Sequence, residues 1–375
     1  MIRFALGSAF AAVLIVVAAC GPSLDPSDVQ PPDFSHEGLA YDWLRGRLGT
    51  PDDAIGSVAD LMVIGDYLLI ADYPVGGSAV HVLRSEDGRR VSGFGEAGEG
   101  PGEFGGIPSL VNAPRDRRSF WAYDANLSRL TLYHLSEVLA GRTDGSRHVR
   151  AEVPRILYDV AFLDSARAVG LGLFAEGRIG LFDPRDPTIS FVGELPAAPD
   201  GVPASVVQHA HQGRLAVRPD GRRFTLATSY AGLLEIRGRD GRLVRRADVP
   251  FAFEPDYTVD DGSMIRGLEN RMGYADVQAT DRYIVALFSG RAEAHFRREM
   301  RLGEYLHLFN WDGDFVHAYR LDRPVSRIAV DVAGRRLFAA AELPEPVVVT
   351  FPWPPVPSDT TGEVAGWLPG QGQPP

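Results

Sequence analysis

Short apolar segments separated by tight turns recur along the chain, and each pair of segments has the pattern of a β-hairpin. In DLMVIGDYLLIA, which begins at Asp60, two apolar runs flank a Gly-Asp turn. Similar pairs begin at intervals of 49 to 62 residues. The six pairs occupy residues 60–71, 109–123, 159–171, 214–227, 276–288 and 327–340. A repeat of about fifty residues is typical of β-propellers and other repeat architectures.

A second hairpin follows about twenty residues into several units, and it turns at Asp-Gly. The three clear cases turn at Asp87-Gly88, Asp240-Gly241 and Asp312-Gly313. Asp-Gly suits a turn that needs positive φ, and alternating apolar residues on both sides are typical of paired strands. The second and third units are less regular at this position. Two hairpins per unit predict a four-stranded antiparallel meander.

Six such units predict an all-β fold, a six-bladed β-propeller with four antiparallel strands per blade. One meander cannot bury both faces, but meanders arranged radially bury them against their neighbours. The sixth unit has only three strands, the last at residues 347–351. We therefore expect an N-terminal strand from residues 41–58 to supply the fourth strand and close the ring. A pair of β-sandwiches is the alternative, but it does not explain the repeat.

The N-terminal segment MIRFALGSAFAAVLIVVAAC has the pattern of a secretory signal. Its apolar run, Phe4 to Ala19, is 16 residues long, whereas a bilayer span needs about 20. The ending Val-Ala-Ala-Cys20 resembles the bacterial lipobox, which implies lipidation of Cys20. Cys20 is the only cysteine, so no internal disulfide can form. A plain signal peptide or an uncleaved anchor helix is the alternative.

These patterns divide the chain into four parts. Residues 1–19 are predicted to be a lipoprotein signal peptide, and 20–40 a lipidated Cys with a flexible, Pro-rich tether. Residues 41–353 form the propeller, and 354–375 are a Pro/Gly-rich tail. The predicted location is the bacterial cell envelope, with a lipid anchor in a membrane. Gly21 after the lipobox indicates the outer membrane, by analogy with lipoprotein sorting.

The charge balance restricts the partners. The formal net charge is −11, and all 38 basic residues are Arg. An acidic protein does not favour nucleic acid or an anionic lipid surface. We therefore expect no nucleic-acid partner.

The stretch GFGEAGEGPGEFGGIP, which begins at Gly93, contains G-x-G-x-x-G. A dinucleotide site needs a helix directly after these glycines, and none is predicted here. Glu96, Glu99 and Glu103 would also repel phosphate. The stretch lies between the first and second units, so we interpret it as a crossover between blades.

The same stretch carries a resemblance to a known family. GEGPGEF followed by Ile107-Pro108 resembles the inter-blade motif of bacterial six-bladed propellers of the NHL-like and TolB-like type, many of which are lipoproteins. The turn containing Asp124, Asn126 and Arg129 resembles the D-x-x-N-x-R turn of such repeats. The resemblance implies an architecture and does not supply a chemistry.

Motifs for metal binding or catalysis are weak. His209 and His211 would share a face of a strand, but no third ligand can be placed. The segment 310–314, NWDGD, resembles part of a calcium loop, but it also fits a hairpin turn. No G-x-S-x-G occurs, and no Ser–His–Asp set can be assembled. We predict no catalytic residue, no metal site and no cofactor.

The fifth unit contains an insertion, SGRAEAHFRREMRLGE at residues 289–304, that is expected on the ligand face of the ring. The long segment 251–274 is expected to cover the same face. An arginine patch could bind a carboxylate or an acidic sugar. A solvated loop balanced by Glu293, Glu299 and Glu304 is the alternative. The ligand-face candidates are Arg291, His295, Arg297, Arg298, Arg301, Glu99 and Glu103.

The sequence favours a non-catalytic binding or scaffold module of the envelope, with a peptide, glycan or protein partner. A metal-dependent hydrolase of the lactonase-like type, or a lyase, centred on the channel is the alternative. Such an enzyme needs several acidic, amide or histidine ligands that converge at the inner strand ends, and the sequence does not identify them.

If Cys20 carries the lipid anchor, then Cys20→Ser should yield a soluble, unlipidated protein. The measurement is the partition between membrane and supernatant after a carbonate wash, with the wild-type chain as the reference. A variant that stays in the membrane would show that the anchor is not an acyl chain on this residue.

Overall fold

A computed structural model describes residues 39–49, 55–73, 77–114, 116, 118–143, 150–152, 157–186, 188–293, 302–341 and 346–353. Six sheets of antiparallel strands surround a central channel. The innermost strand of each sheet contacts the innermost strands of the sheets on both sides, so the ring is continuous. The predicted six-bladed β-propeller is confirmed.

The chain forms twenty-seven strands and two short helices within the described residues. The strands before the fourth blade are β1 (Asp42–Leu44), β2 (Arg47–Leu48), β3 (Asp60–Ile64), β4 (Tyr67–Ala71), β5 (Val80–Arg84), β6 (Arg90–Phe94), β7 (Ser109–Asn112), β8 (Ser119–Asp124), β9 (Arg129–His134), β10 (Arg150–Glu152), β11 (Asp159–Asp164), β12 (Arg167–Leu171), β13 (Ile179–Phe182) and β14 (Ile189–Val192). The remaining strands are β15 (Gly213–Val217), β16 (Arg223–Thr228), β17 (Leu234–Gly238), β18 (Leu243–Arg246), β19 (Thr258–Asp260), β20 (Ser263–Ile265), β21 (Tyr274–Ala279), β22 (Tyr283–Phe288), β23 (Gly303–Asn310), β24 (Phe315–Val325), β25 (Arg327–Asp331), β26 (Arg336–Ala341) and β27 (Val347–Pro352). The helices are α1 (Leu135–Leu139) and α2 (Ala204–Ala210).

Each blade is a meander whose first strand lies innermost. Blades one to four are β3–β6, β7–β10, β11–β14 and β15–β18, blade five contains β21–β24, and blade six contains β25–β27. The six hairpins predicted from the apolar pattern are the first two strands of each blade, within two residues at each end. The three Asp-Gly hairpins join the third and fourth strands, and their glycines have positive φ, from 73° at Gly88 to 91° at Gly313.

The hydrophobic core is divided among the spaces between adjacent blades. Between blades one and two, for example, Phe94 and Tyr133 have ring centroids 4.8 Å apart, and Phe120 stacks on Tyr133. Each aromatic or branched side chain that is fully buried in this way contributes roughly 1.5–3 kcal/mol. Because every sheet is covered on both faces, the strands read as apolar runs rather than as strict alternation.

The described N-terminal segment lies along the outer edges of blades five and six. β2 pairs antiparallel with β27 and supplies the fourth strand of blade six, as expected from residues 41–58. That this pairing closes the ring stays a prediction. β1, which the sequence did not predict, pairs in parallel with β24 and adds a fifth strand to blade five. The guanidinium of Arg320 lies 4.7 Å from the centre of the Trp43 ring and 5.4 Å from that of the Tyr305 ring. These cation–π contacts stabilise the pairing of β1 with β24.

The two helices are irregularities in connections between strands. α1 replaces a tight turn between β9 and β10, and its Val138 carbonyl accepts a hydrogen bond of 3.0 Å from the Ser92 hydroxyl on β6. α2 lies in the crossover from blade three to blade four. Within the described ranges, neither helix has the length or the apolar stretch needed to cross a bilayer. The predicted signal peptide, Cys20 and the C-terminal tail lie outside the described residues.

Gly46, between β1 and β2, should be intolerant of a side chain. A Cβ at this position would lie 2.3 Å from Cγ1 of Val349 and 2.7 Å from the Phe351 ring, both in the core of blade six. We expect Gly46→Ala to lower the free energy of unfolding by about 1–3 kcal/mol through this overpacking. Chemical denaturation measures the loss, and hydrogen exchange should rise in β24 and β27.

Gly77→Ala is the matched control, because a Cβ there meets nothing within 4 Å. Equal stabilities of the two variants would contradict the close packing at Gly46.

Candidate functional site

The crossovers between blades lie at one end of the ring, and each inner strand begins there. A polar or charged residue stands at or near the start of every inner strand. These six positions begin the six sequence repeats. In blade order they are Asp60, Ser109, Asp159, Arg214, Asp276 and Arg327. Acidic residues therefore alternate with serine or arginine around the channel. We call this end of the channel, together with the residues that line it, the ring mouth.

Each of the three aspartates bridges its own blade to the next one. The backbone N–H of Leu61 donates to Asp60 Oδ1 at 2.9 Å, and that of Leu110 in blade two donates to Oδ2 at 2.8 Å. Asp159 accepts in the same way from Val160 at 2.9 Å and from Leu215 in blade four at 2.8 Å.

Asp276 completes the set. It accepts from Val277 at 2.8 Å and from Ile328 in blade six at 2.9 Å. Both oxygens of every bridging carboxylate are thus engaged by backbone amides, and each carboxylate fixes one blade against the next.

Burial and charge act together at the mouth. Burial raises the pKa of Asp159 to about 6, although Arg214 beside it, with Nη1 3.8 Å from Asp159 Oδ1, favours the charged form. Burial also raises the pKa of Asp276, against the effect of Arg327 and Arg214. Burial alone would lower the pKa of Arg214, but the three aspartates outweigh it and raise this pKa. Arg214 is therefore held cationic.

A cavity of about 260 Å³ opens at the mouth, and every blade or its preceding crossover contributes to its lining. The residues with polar side chains are two arginines, two serines, a tyrosine and a glutamine. They are Ser109, Tyr158, Gln212, Arg214, Ser229 and Arg327. No aspartate or glutamate is among the described lining residues. The cavity therefore presents hydrogen-bond donors and positive charge, although the protein as a whole is acidic.

Aromatic side chains form one side of the rim. The His209 ring lies 6.2 Å from the rings of both Tyr158 and Tyr230. The guanidinium of Arg266, from the crossover between blades four and five, lies 4.1 Å above Tyr230. α2 contacts β20 of the same crossover. The segment 251–274, which includes the β19–β20 hairpin, therefore lies at the crossover end of the ring, where the sequence analysis expected it.

Glu99 and Glu103 lie in the crossover from blade one to blade two, as predicted. Arg129 Nη1 donates to the Glu99 carbonyl at 3.1 Å, and Nη2 donates to the Glu103 carbonyl. Glu103 Oε2 accepts from the Gly100 N–H at 2.7 Å, so this carboxylate stabilises its own loop.

Asp124 and Asn126, which belong to the same turn as Arg129, hold the same crossover. Asp124 Oδ2 accepts from the Gly105 N–H at 2.7 Å, and Asn126 Nδ2 donates to the Gly105 carbonyl at 2.8 Å. A Cβ at Gly95 would lie 2.5 Å from the Phe104 ring, and Gly95 has a φ of 85°. The glycines thus allow close packing of the crossover, and no helix follows them, which confirms the crossover interpretation.

The described part of the fifth-blade insertion packs on the crossover from blade four. The Met272 N–H donates to the Arg291 carbonyl, and the Gly290 N–H donates to the Met272 carbonyl, each at 2.9 Å. Arg291 forms an ion pair with Glu304, and Arg266 pairs with Glu293 at 3.3 Å. His295, Arg297, Arg298 and Arg301 lie outside the described residues, so a ligand patch on the insertion stays a prediction.

The histidine pair does not lie on a strand. His209 is in α2 and His211 follows it, with Nδ1 2.8 Å from the Val207 carbonyl. Burial lowers the pKa of His211. Asn310 Oδ1 accepts from the backbone N–H of Asp312 and of Asp314, which confirms a hairpin turn at the calcium-like segment. Within the described residues, no three His, Cys, Asp or Glu side chains converge as a metal site would require.

Sequence reasoning missed the ring mouth. Motifs and local clusters of charge involve residues that are close in sequence. Arg214 and Arg327 are 113 positions apart, so neither kind of pattern contains both. The signal that could have identified the mouth was in the repeat itself. The first residues of the six units are charged or polar, although the residues that follow them are apolar.

Comparison with known proteins agrees with the fold. A family model described as TolB-like 6-blade propeller-like matches residues 57–333. The structure is similar to that of BF0058 of Bacteroides fragilis, which is named as an exported protein, with a TM-score of 0.51 at 13% identity over 82% of this chain and 94% of that chain. The structure of the RRP9 WD40 repeats gives a TM-score of 0.48 at 9% identity, and the match covers 82% of this chain and 97% of that chain. At 13% identity the Bacteroides fragilis structure shows the fold alone. No curated protein matches the chain significantly.

Asp159 should make stability depend on pH in an unusual direction for a carboxylate. Its pKa is about 6 in the folded protein and 3.8 as the reference value, so the folded state binds the proton more tightly. The stability that this group contributes is complete below pH 3.8 and is lost as the pH rises through 6. We expect the stability difference between wild type and Asp159→Asn to shrink by up to about 3 kcal/mol between pH 4 and 7.

Urea denaturation at several pH values measures this difference, and Asp240→Asn in an exposed hairpin turn is the control. A difference that grows toward pH 7 would show that Asp159 has a depressed pKa instead.

Proposed function

The chain belongs to the TolB-like six-bladed propeller family, and on that premise we propose that it is a non-catalytic binding or scaffold protein of the bacterial cell envelope. A lipid on Cys20 would hold it at a membrane, in the outer membrane by the sorting argument from Gly21. The ring mouth would bind an envelope partner of the protein, peptide or glycan class. The N-terminal segment and the exported protein that shares the fold both support an extracytoplasmic location.

The observation that carries this proposal is the composition of the mouth. Every blade or its preceding crossover contributes to one cavity, and its polar residues lie at strand starts, in crossovers and in the β16–β17 connection, which the scaffold fixes in place. Binding sites are typically concave, largely preformed and lined by a few convergent polar groups. The mouth has these properties, and a partner bound there would contact the whole ring.

The arrangement of the carboxylates favours binding over metal-dependent hydrolysis. A channel-centred hydrolase or lyase needs several carboxylate or histidine ligands directed at one ion. Asp60, Asp159 and Asp276 instead direct both oxygens at backbone amides. Every polar side chain of the lining can donate a hydrogen bond and two of them are cationic arginines, which suits an acceptor on a ligand better than a cation.

A side chain that fills the mouth should abolish partner binding. Gln212 lines the cavity and is partly exposed, so Gln212→Trp should occupy the mouth without entering the core. The full chain, extracted in mild detergent, is used to capture partners from envelope extracts. We expect at least a tenfold loss of captured partner relative to wild type.

Arg222→Trp is the control, because it places the same side chain on an exposed turn at the opposite end of blade four. Capture that survives in Gln212→Trp, or that is lost equally in both variants, would contradict binding at the mouth.

A further inference from the structure

The charged side chains that line the cavity at the ring mouth are cationic, whereas the protein as a whole is acidic. The cavity lining includes the guanidinium groups of Arg214 and Arg327 and contains no described carboxylate. The formal charge of the chain is −11. Ser109, Ser229 and Gln212 add hydroxyl and amide donors. Such a lining attracts a ligand that is anionic and can accept several hydrogen bonds.

The scaffold fixes both cations before any ligand arrives. Arg327 Nε donates to the Ala59 carbonyl at 2.6 Å, and Nη1 donates to the Ser326 carbonyl at 2.8 Å. Arg214 is placed by Asp159, whose own oxygens are held by two backbone amides. Because less side-chain freedom is lost on binding, such preorganised groups bind a ligand at a lower entropic cost.

The charge of the ligand is limited by what lies around the arginines. Three aspartates share the layer of strand starts with them, and each keeps its oxygens on the backbone. By count they offset the charge of the two guanidinium groups, and they would repel a second negative charge on the ligand. A cavity of about 260 Å³ also admits only a small group. A planar anion with one negative charge therefore fits better than a phosphate dianion.

We propose that the ring mouth binds a single carboxylate group, held by the guanidinium groups of Arg214 and Arg327, on a ligand unit no larger than one amino acid or one acidic sugar. Planar guanidinium groups match the geometry of a carboxylate. Tyr158 and His209 at the rim would contact the body of the ligand next to this group. This inference rests on the proposed function and names the chemistry of the group that the mouth binds.

The first test compares matched small molecules on the full wild-type chain by calorimetric titration. N-acetylglycine is paired with the neutral N-acetylglycinamide, and glucuronate is paired with glucose. We expect at least one acid to bind at least tenfold more tightly than its neutral partner. Tighter binding of N-acetylglycine would indicate a peptide end as the source of the carboxylate, and tighter binding of glucuronate would indicate an acidic sugar. Equal affinities within both pairs would overturn the inference.

The second test changes the arginines. Arg327→Gln and Arg214→Gln should each weaken binding of the acid about tenfold or more, and melting curves check that each variant folds. Arg214→Lys keeps a positive charge beside Asp159 and loses the planar fork, so it should fold and still bind the acid several-fold more weakly. Arg242→Gln, on an exposed turn at the opposite end of blade four, removes the same charge and should leave binding unchanged. Unchanged affinity in all three mouth variants would overturn the inference.

The two proposals fail in distinguishable ways. If no carboxylate binds but Gln212→Trp still abolishes partner capture, the ligand chemistry is wrong and the mouth remains the binding surface. If carboxylates bind at the arginines but capture survives in Gln212→Trp, the small-molecule site is right and the proposed envelope partner binds elsewhere.

Discussion

The structure depends on a carboxylate that the backbones of two neighbouring blades share. The innermost strand of a propeller blade has one edge toward the channel, and its amides there have no strand to pair with. Asp60, Asp159 and Asp276 supply the missing acceptors, each to its own strand and to the next one. A buried amide without an acceptor costs about 1–3 kcal/mol, so these aspartates stabilise the ring where hydrophobic packing cannot.

The same three carboxylates determine the electrostatics of the mouth. Their oxygens accept hydrogen bonds from the strands. Their negative charge interacts with the nearby guanidinium groups of Arg214 and Arg327. Arg214 is held cationic by these aspartates, and both arginines line the cavity. A structural requirement of the inner strands thus accompanies an arginine-lined cavity in an acidic protein. Fold and binding surface therefore depend on the same residues.

The sequence was sufficient to predict the fold, because hairpins and their turns are local. The apolar runs and Asp-Gly turns located all six first hairpins and the three regular second ones. α1 and β1 were missed, since elements of five and three residues form through tertiary contacts rather than through their own pattern. The mouth was missed for a different reason. Its two arginines, Arg214 and Arg327, reach one cavity only after the ring closes, and no local window of sequence contains both.

Local charge density was therefore a misleading guide to where chemistry could occur. The insertion at residues 289–304 concentrates arginines in sequence, yet Arg291 is already paired with Glu304. Arg214 and Arg327 come from two different repeats, and the ring brings them to one cavity. In a protein built from radial repeats, equivalent positions in different units converge on the axis, whereas neighbours in one loop spread along the rim. A site on the axis should thus be sought by comparing the same position across repeats, and here that comparison yields the alternation of aspartate with serine or arginine.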